Sequence, residues 1–244
     1  MKAAFYSGAL GLMAQQQALD TIGHNLANVN TNGYKSQGVS FDDLLYTRMY
    51  ANSENDPLTG HGVRAVSTGI RFTQSGLRET NLALDFAIAG DGFFALDSGG
   101  EQPLYTRDGA FAVKLENGQG YLTAQDGSYV LDQSGQKIAL EKIPGTETFN
   151  YDALPAKIGL YRFPNPAALT PVYGNRYAPT DQSGEAEAAD GTTSELLQRF
   201  IEYSGTSMVD EMSDMIAAQR SYQLSARVVQ TADENEQTIN NLRK

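Results

Sequence analysis

Cysteine and tryptophan are missing altogether, and only two histidines, His24 and His61, stand among 244 residues. Without thiols there is no disulfide and no thiolate metal centre, and the chain suits either redox compartment. No apolar run approaches the ~18 to 20 residues that a bilayer-spanning helix needs, so no membrane insertion is expected. Bases are scarce as well: 18 Lys and Arg against 29 Asp and Glu give a net charge of −11. That balance argues against a nucleic-acid surface. No P-loop, G-x-S-x-G elbow or H-E-x-x-H pair occurs, and a paired carboxylate is the one catalytic chemistry the abundance of acids leaves open. The expectation is a protein that is not an enzyme and holds no cofactor and no metal. The start of the chain, KAAFYSGALGLMA, has a base followed by a mostly apolar stretch. Ser7, Gly8 and Gly11 dilute it and no cleavage site follows, so a cleaved signal peptide is not expected.

What is present falls into three parts. From Met208 to Leu242 the apolar residues Met208, Met212, Met215, Tyr222, Ala226, Val229, Ala232, Ile239 and Leu242 recur at steps of three, four or seven, with no Gly or Pro between them. This is the signature of one long helix, about 50 Å from end to end. Ser207 followed by Asp210 predicts its cap, with Asp210 and Glu211 placed at the helix's positive end. A matching stripe runs Phe5, Ala9, Leu12, Leu19, Ile22, Leu26 and Val29 near the other end. So long and narrow-striped a helix needs a partner, and the expectation is that the two terminal helices pair as a coiled coil. Packing of each helix on a globular core is the alternative.

Between them the period changes. Asn32-Gly33 in NVNTNGYKSQG predicts a turn that ends the first helix and sets the angle between that helix and the next segment, with Gly33 at positive φ. Phe41 to Tyr50 reads as a short helix or an extended arm, and residues 51–62 as a polar loop. Short runs of period two then alternate with Gly and Asp turns up to Tyr203, which predicts an inserted mainly-β domain. Its strands are expected at 69–73, 83–89, 92–96, 104–107, 110–115, 121–124, 129–131, 137–140, 157–163 and 196–203. The acidic, aromatic-free stretch 181–194 is expected to be a mobile loop. The fold class is α+β, divided as an N-terminal assembly helix 1–33, a connecting arm 34–66, a mainly-β domain 67–205 and a C-terminal assembly helix 206–244.

Gly90, Asp91 and Gly92, with Ala95, fit the G-x-G-x-x-A pattern of dinucleotide sites. That chemistry needs a helix N-terminus after the turn, and FFALDSGG reads as a strand, so a β-domain turn is expected instead. His24 lies beside Ile22 and Leu26, where an interface or capping role is expected. Met208, Met212 and Met215 form a packing stripe.

NLANVNTNGYK at 25–35, LDFAIAGDGFF at 84–94, YTRDGAF at 105–111 and MVDEMSDMIAAQRSYQ at 208–223 stand in the order of the signatures of the bacterial flagellar basal-body rod and hook family, which they closely resemble. Within that family, length and the first motif are most similar to the distal rod members. Proximal rod members come next, and ADENE at 232–236 leans their way. The resemblance implies a structural subunit exported unfolded by the flagellar type III apparatus, without a cleaved signal, to the basal body outside the cytoplasmic membrane. It implies a helical homopolymer forming a torque-transmitting drive shaft, with neighbouring rod and hook subunits and surrounding ring proteins as partners, and terminal helices forming an inner coiled-coil layer. From a different class, a secreted oligomeric β-domain adhesin is the alternative. About 14 apolar side chains worth roughly 1.5 to 3 kcal/mol each are set against ordering some 60 residues at about 1 to 2 kcal/mol each. One helix pair is therefore marginal alone, and the ends are expected to fold on assembly.

Overall fold

The computed structural model describes residues 2–48, 58–100, 102–143, 149–189 and 194–242. It has an N-terminal helix α1 (Lys2–Ala27), a mainly-β middle and a C-terminal helix α2 (Met208–Leu242). The chain divides into two compact units. One comprises Met1–Ala27, Gln37–Gly69 and Ser207–Lys244; the other comprises Asn28–Ser36 and Ile70–Thr206.

In the helical unit, α2 starts where its cap predicts. The Asp210 amide donates to Ser207 Oγ at 3.4 Å and the Glu211 amide to the Ser207 carbonyl at 3.0 Å, so the first turn's amides are satisfied from outside the helix. Helix α1 stops at Ala27, and Val29 lies beyond it, in the segment that belongs to the other unit. The stretch from Phe41 is extended rather than helical. Strand Gln37–Asp43 pairs with Val63–Ile70, and Tyr46–Arg48 pairs antiparallel with Leu58–Gly60. Met49, Tyr50 and residues 51–57 lie outside the described residues. His61 accepts or donates a 2.8 Å hydrogen bond with Thr47 Oγ1 across that hairpin.

In the β unit, a ten-stranded sheet is centred on Phe93–Asp97, which is bordered by Leu104–Thr106, Tyr129–Val130 and Leu160–Arg162. Alternation along this strand feeds two cores, because successive side chains leave opposite faces. Phe94 and Leu96 pack with Phe86, Phe111, Leu122 and Val130. Phe93 and Ala95 pack on the other side with Tyr105, Phe163 and Tyr177. The aromatic members of the second core meet edge to face, Tyr105 and Phe163 at 4.8 Å and 89°, the geometry ring quadrupoles favour.

The run 196–203, expected as one strand, is two: Ser194–Gln198 pairs with Phe86–Gly90, and Phe200–Glu202 with Leu77–Glu79. Arg199 separates them at φ 68°, a left-handed residue that carries the chain from one partner to the next. Part of the expected mobile loop is ordered, since Glu187–Ala188 pairs with Tyr161 and Arg162. Residues 190–193 lie outside the described residues.

Arg176 ties the far side of this unit together by binding Asp126, whose carboxylate also accepts from the amide and hydroxyl of Ser128. The hydrogen bond from Arg176, followed by those of Ser128, holds the Asp126 carboxyl down to about 2 from an ordinary 3.8. A carboxyl depressed in the folded state stabilises the fold above its unfolded value and ceases to as pH falls through its folded one. Asp126→Asn is therefore expected to cost up to about 1 kcal/mol at pH 7, the side chain being 41% exposed and screened. In thermal melts the gap from wild type should close between pH 4 and 2; a gap constant to pH 2 would mean the charge of Asp126 is irrelevant.

Candidate functional site

Small residues form the seam of the helix pair. A Cβ on Gly8 would stand 2.9 Å from Val229 Cγ2, and one on Gly11 would stand 3.1 Å from Ser225 Oγ. Further along, Asn25 Nδ2 donates to Glu211 Oε1 at 2.9 Å. Numbers rise on α1 as they fall on α2, so the pair is antiparallel. Among the described residues, Gly8, Ala14, Ala18 and Asn25 on α1 and Ala218 and Ala232 on α2 are the buried positions, all but Asn25 glycine or alanine. Close approach follows directly, because nothing larger than a methyl keeps the helices apart at the glycine and alanine positions. Asn25 also clamps the backbone of Gln37, donating to its carbonyl at 2.8 Å and accepting from its amide at 3.0 Å, which fixes the following strand to the end of α1.

The large apolar residues fall elsewhere. Of the stripe residues, Leu12, Leu19, Ile22, Leu26, Met215 and Val229 are half-buried. Phe5, Met208, Met212, Tyr222, Ile239 and Leu242 are exposed. Outside the stripe, Tyr6 and Met13 on α1 and Val209 (75% exposed), Ile216, Leu224 (61% exposed) and Val228 on α2 join them. A single soluble helix pair does not ordinarily carry so much apolar surface facing water. The seam residues lie outside the stripe because a periodicity of large side chains passes over glycine and alanine; the three-residue spacing of Gly8, Gly11 and Ala14 is the signal the sequence does carry.

Within the β unit, the residues of the Asn-Gly-Tyr-Lys turn and the YTRDGAF stretch converge. Gly33 takes φ 62°, its amide donating to the Glu202 carbonyl at 2.8 Å. A Cβ there would stand 2.6 Å from the Arg107 carbonyl carbon, so both conformation and space require glycine. Asn32 offers its carbonyl to Asn175 Nδ2 at 2.8 Å. Two residues on, Lys35 Nζ reaches Glu202 Oε1 at 2.6 Å and the Thr73 carbonyl at 2.7 Å, with both charged side chains wholly buried. Glu202 Oε1 accepts from the Ser75 amide too, at 2.8 Å.

Arg107, also buried, stands 3.6 Å from Glu202 Oε2, beyond hydrogen-bond reach. It donates instead to the carbonyls of Ile88 and Gly90 and lies over the Phe93 ring. Burial pushes the Lys35 ammonium and the Arg107 guanidinium down, against the pull of Glu202 on each. Gly90, Asp91 and Gly92 lead from the Phe86–Gly90 strand into the Phe93–Asp97 strand, not into a helix. Gly90 receives Arg107 and donates its amide to Gln74 Oε1, while the Asp91 carbonyl accepts from Ser194 Oγ. Lys35 and Arg107 fall within two of the sequence motifs, but nothing in the sequence joins them to Glu202, which stands 167 positions after Lys35.

Two cations share one carboxylate here, so the substitutions should be unequal. Removing one partner of a buried pair costs about 3 to 5 kcal/mol. Glu202→Ala, which strands both cations, should fall in that range in urea unfolding, and Lys35→Met, which leaves Arg107 facing Glu202, should cost at least about 1 kcal/mol less. Equal losses would show that the cluster is not electrostatically coupled. Gly33→Val should cost several kcal/mol, since strain at positive φ and a backbone clash act together.

Three family models match the chain: flagella basal body rod protein over residues 5–35, the flagellar hook protein FlgE/F/G D1 domain over 87–153, and the flagellar basal body rod FlgEFG protein C-terminal over 197–242. The flagellar basal-body rod protein FlgG of Borreliella burgdorferi is 34% identical over the whole of both chains. FlgG of Bacillus subtilis is 32% identical, also over the whole of both. The rod protein FlgF of Mesorhizobium japonicum is 32% identical over 99% of this chain and 98% of its own. With every part of its length matched in order, from the helix-and-turn motif to the last helix, the chain belongs to the flagellar basal-body rod protein family.

Proposed function

We propose that this chain is a structural subunit of the flagellar basal-body rod, of the distal type, that polymerises with copies of itself into a helical, torque-transmitting shaft and meets neighbouring rod and hook subunits at its ends. The observation that carries this reading is the helix pair whose contact is made by Gly8, Gly11 and Ala218 while Phe5, Met13, Val209, Ile216 and Leu224 face outward. A small-residue seam buries little apolar area, so the pair alone gains little against the entropy of ordering it. Neighbouring copies supply the missing apolar contact. In the polymer the terminal helices form the inner coiled-coil layer, and each end stays loosely ordered until assembly, which keeps the chain threadable for type III export to its place outside the cytoplasmic membrane.

A head-to-tail contact that does not close generates a helical filament, the geometry a shaft requires. The acidic β unit supplies the outward-facing contacts, with the surrounding ring proteins among them. Relatives named FlgG cover the whole chain, which supports the distal reading, and the similar identity of a FlgF relative makes the proximal type the second reading. No observation favours a secreted adhesin.

Ile216→Asp and Leu224→Asp change exposed positions of α2, so each should alter the unfolding free energy of the monomer by no more than about 0.5 kcal/mol. Both should abolish filaments in electron micrographs of the purified protein and swimming in cells that carry the variant. Ordinary filaments and motility from both variants would remove the outward face from the assembly surface.

A further inference from the structure

Residues 28–36 come after helix α1 in sequence but are built into the β unit. Carbonyls along them hold amides from three distant places: Asn32 accepts from Asn175 Nδ2, Tyr34 from the Gly205 amide at 2.7 Å, and Ser36 from the Arg71 amide at 3.0 Å. The segment thus lies as a strap, with Gly33, Tyr34 and Lys35 buried, and its charged anchor is Lys35 on Glu202. That anchor is contested. Docked, the strap gives Glu202 two buried cations. Glu202 Oε2 and Arg107 Nε are then both buried without a hydrogen-bond partner among the described residues, although Arg107 NH1 stands only 3.6 Å from that oxygen. Undocked, the strap takes Lys35 away and leaves one cation facing one anion. A short closing movement of Arg107 onto the carboxylate would then satisfy both orphaned atoms in the paired geometry guanidinium favours.

We propose that residues 28–36 are a detachable strap, in which Lys35 and Arg107 compete for the single buried Glu202 carboxylate, giving the β unit a docked and an undocked state. The undocked state keeps its own charge pair, so release of the strap does not unfold the sheet. The central strand Phe93–Asp97 owes its ladder to Leu104–Thr106, Tyr129–Val130 and Leu160–Arg162, none of which involves the strap. Opening is therefore local, of the kind that hydrogen exchange separates from global unfolding. The latch concerns the β unit of the single chain and stands whether or not the chain polymerises as proposed.

The test is amide hydrogen exchange on the full-length protein, comparing two sets of reporters. The Arg71 and Gly205 amides are protected by strap carbonyls, whereas Leu96 and Leu122 sit in the sheet. In the wild type the strap reporters should exchange at least tenfold faster than the sheet reporters. Equal rates would mean the strap leaves only when everything unfolds, and the proposal would fall. Lys35→Met should raise the exchange rate of the strap reporters by tenfold or more, and an unchanged strap rate would remove Lys35 as the anchor. Asn175→Gly keeps the left-handed backbone at that position (φ 59°) and deletes the bond to Asn32, together with the one that the Tyr177 hydroxyl donates to Asn175 Oδ1 outside the strap. It should raise the strap rate by about fivefold, the effect of one net hydrogen bond. Arg107→Met discriminates competition from support. The strap rate itself is read, because a general loss of stability raises the sheet rate and lowers the ratio without any competition; removing the competitor should slow exchange of the strap reporters, and a faster or unchanged strap rate would overturn the competition.

Discussion

One carboxylate, that of Glu202, sits where four stretches of the β unit meet. The strap brings Lys35, the turn after Phe72 brings the Thr73 carbonyl and Ser75 amide, the end of the Leu104–Thr106 strand brings Arg107, and Glu202 itself ends the last strand before α2. Removing two cations and an anion from water is costly, and their mutual attraction does not in general exceed what a well-packed apolar cluster would contribute. What the cluster does provide is specificity of register. A strand shifted by one residue would point Glu202 at the opposite face and leave Lys35 and Arg107 buried without an anion, a penalty no apolar set imposes so sharply.

The helix pair works under the reverse rule. There the contact is made by the absence of side chains, and closeness leaves bulky residues to the outside. Gly8 against Val229 and Gly11 against Ser225 set the distance, and the Asn25 amide fixes the lengthwise register by binding both Glu211 and the Gln37 backbone. A polar clamp and a glycine seam select one arrangement with little hydrophobic gain. Stability is thereby left to contacts beyond the seam, Ile216, Val209 and Leu224 being exposed.

How far the sequence discloses this depends on whether a signal is local. Helix α2 runs over Met208–Leu242 as its period and the Ser207 cap indicate, because cap and stripe are both contiguous in sequence. Most strands of the β unit lie within a few residues of the alternating runs, since Asp-Gly and Asn-Gly turns punctuate them. Gln37–Asp43 and Val63–Ile70 are not among the expected strands; both are largely exposed or half-exposed, and without a buried face no alternation is written into them. Arg199 breaks an expected strand because a left-handed arginine carries no sequence mark. The β unit's polar centre is the least legible part, for the pairing of Lys35 with Glu202 is a fact of topology that no spacing encodes.

These two halves of the design explain why the family's motifs lie where they do. NLANVNTNGYK contains Asn25, which clamps the helix pair, and Gly33 and Lys35, which enter the β unit. YTRDGAF contains the backbone against which Gly33 fits and the arginine facing Glu202. Neither is a ligand-binding signature, and their chemistry is directed inward, at the chain's own backbone and one carboxylate. A rod subunit has to fold and be set among identical neighbours. It gains from polar contacts that tolerate a single geometry, because an error of register in one copy would be repeated at every contact along a shaft. In such a chain the glycines and buried charges fix the geometry, while the apolar outer positions need only be large enough to be covered.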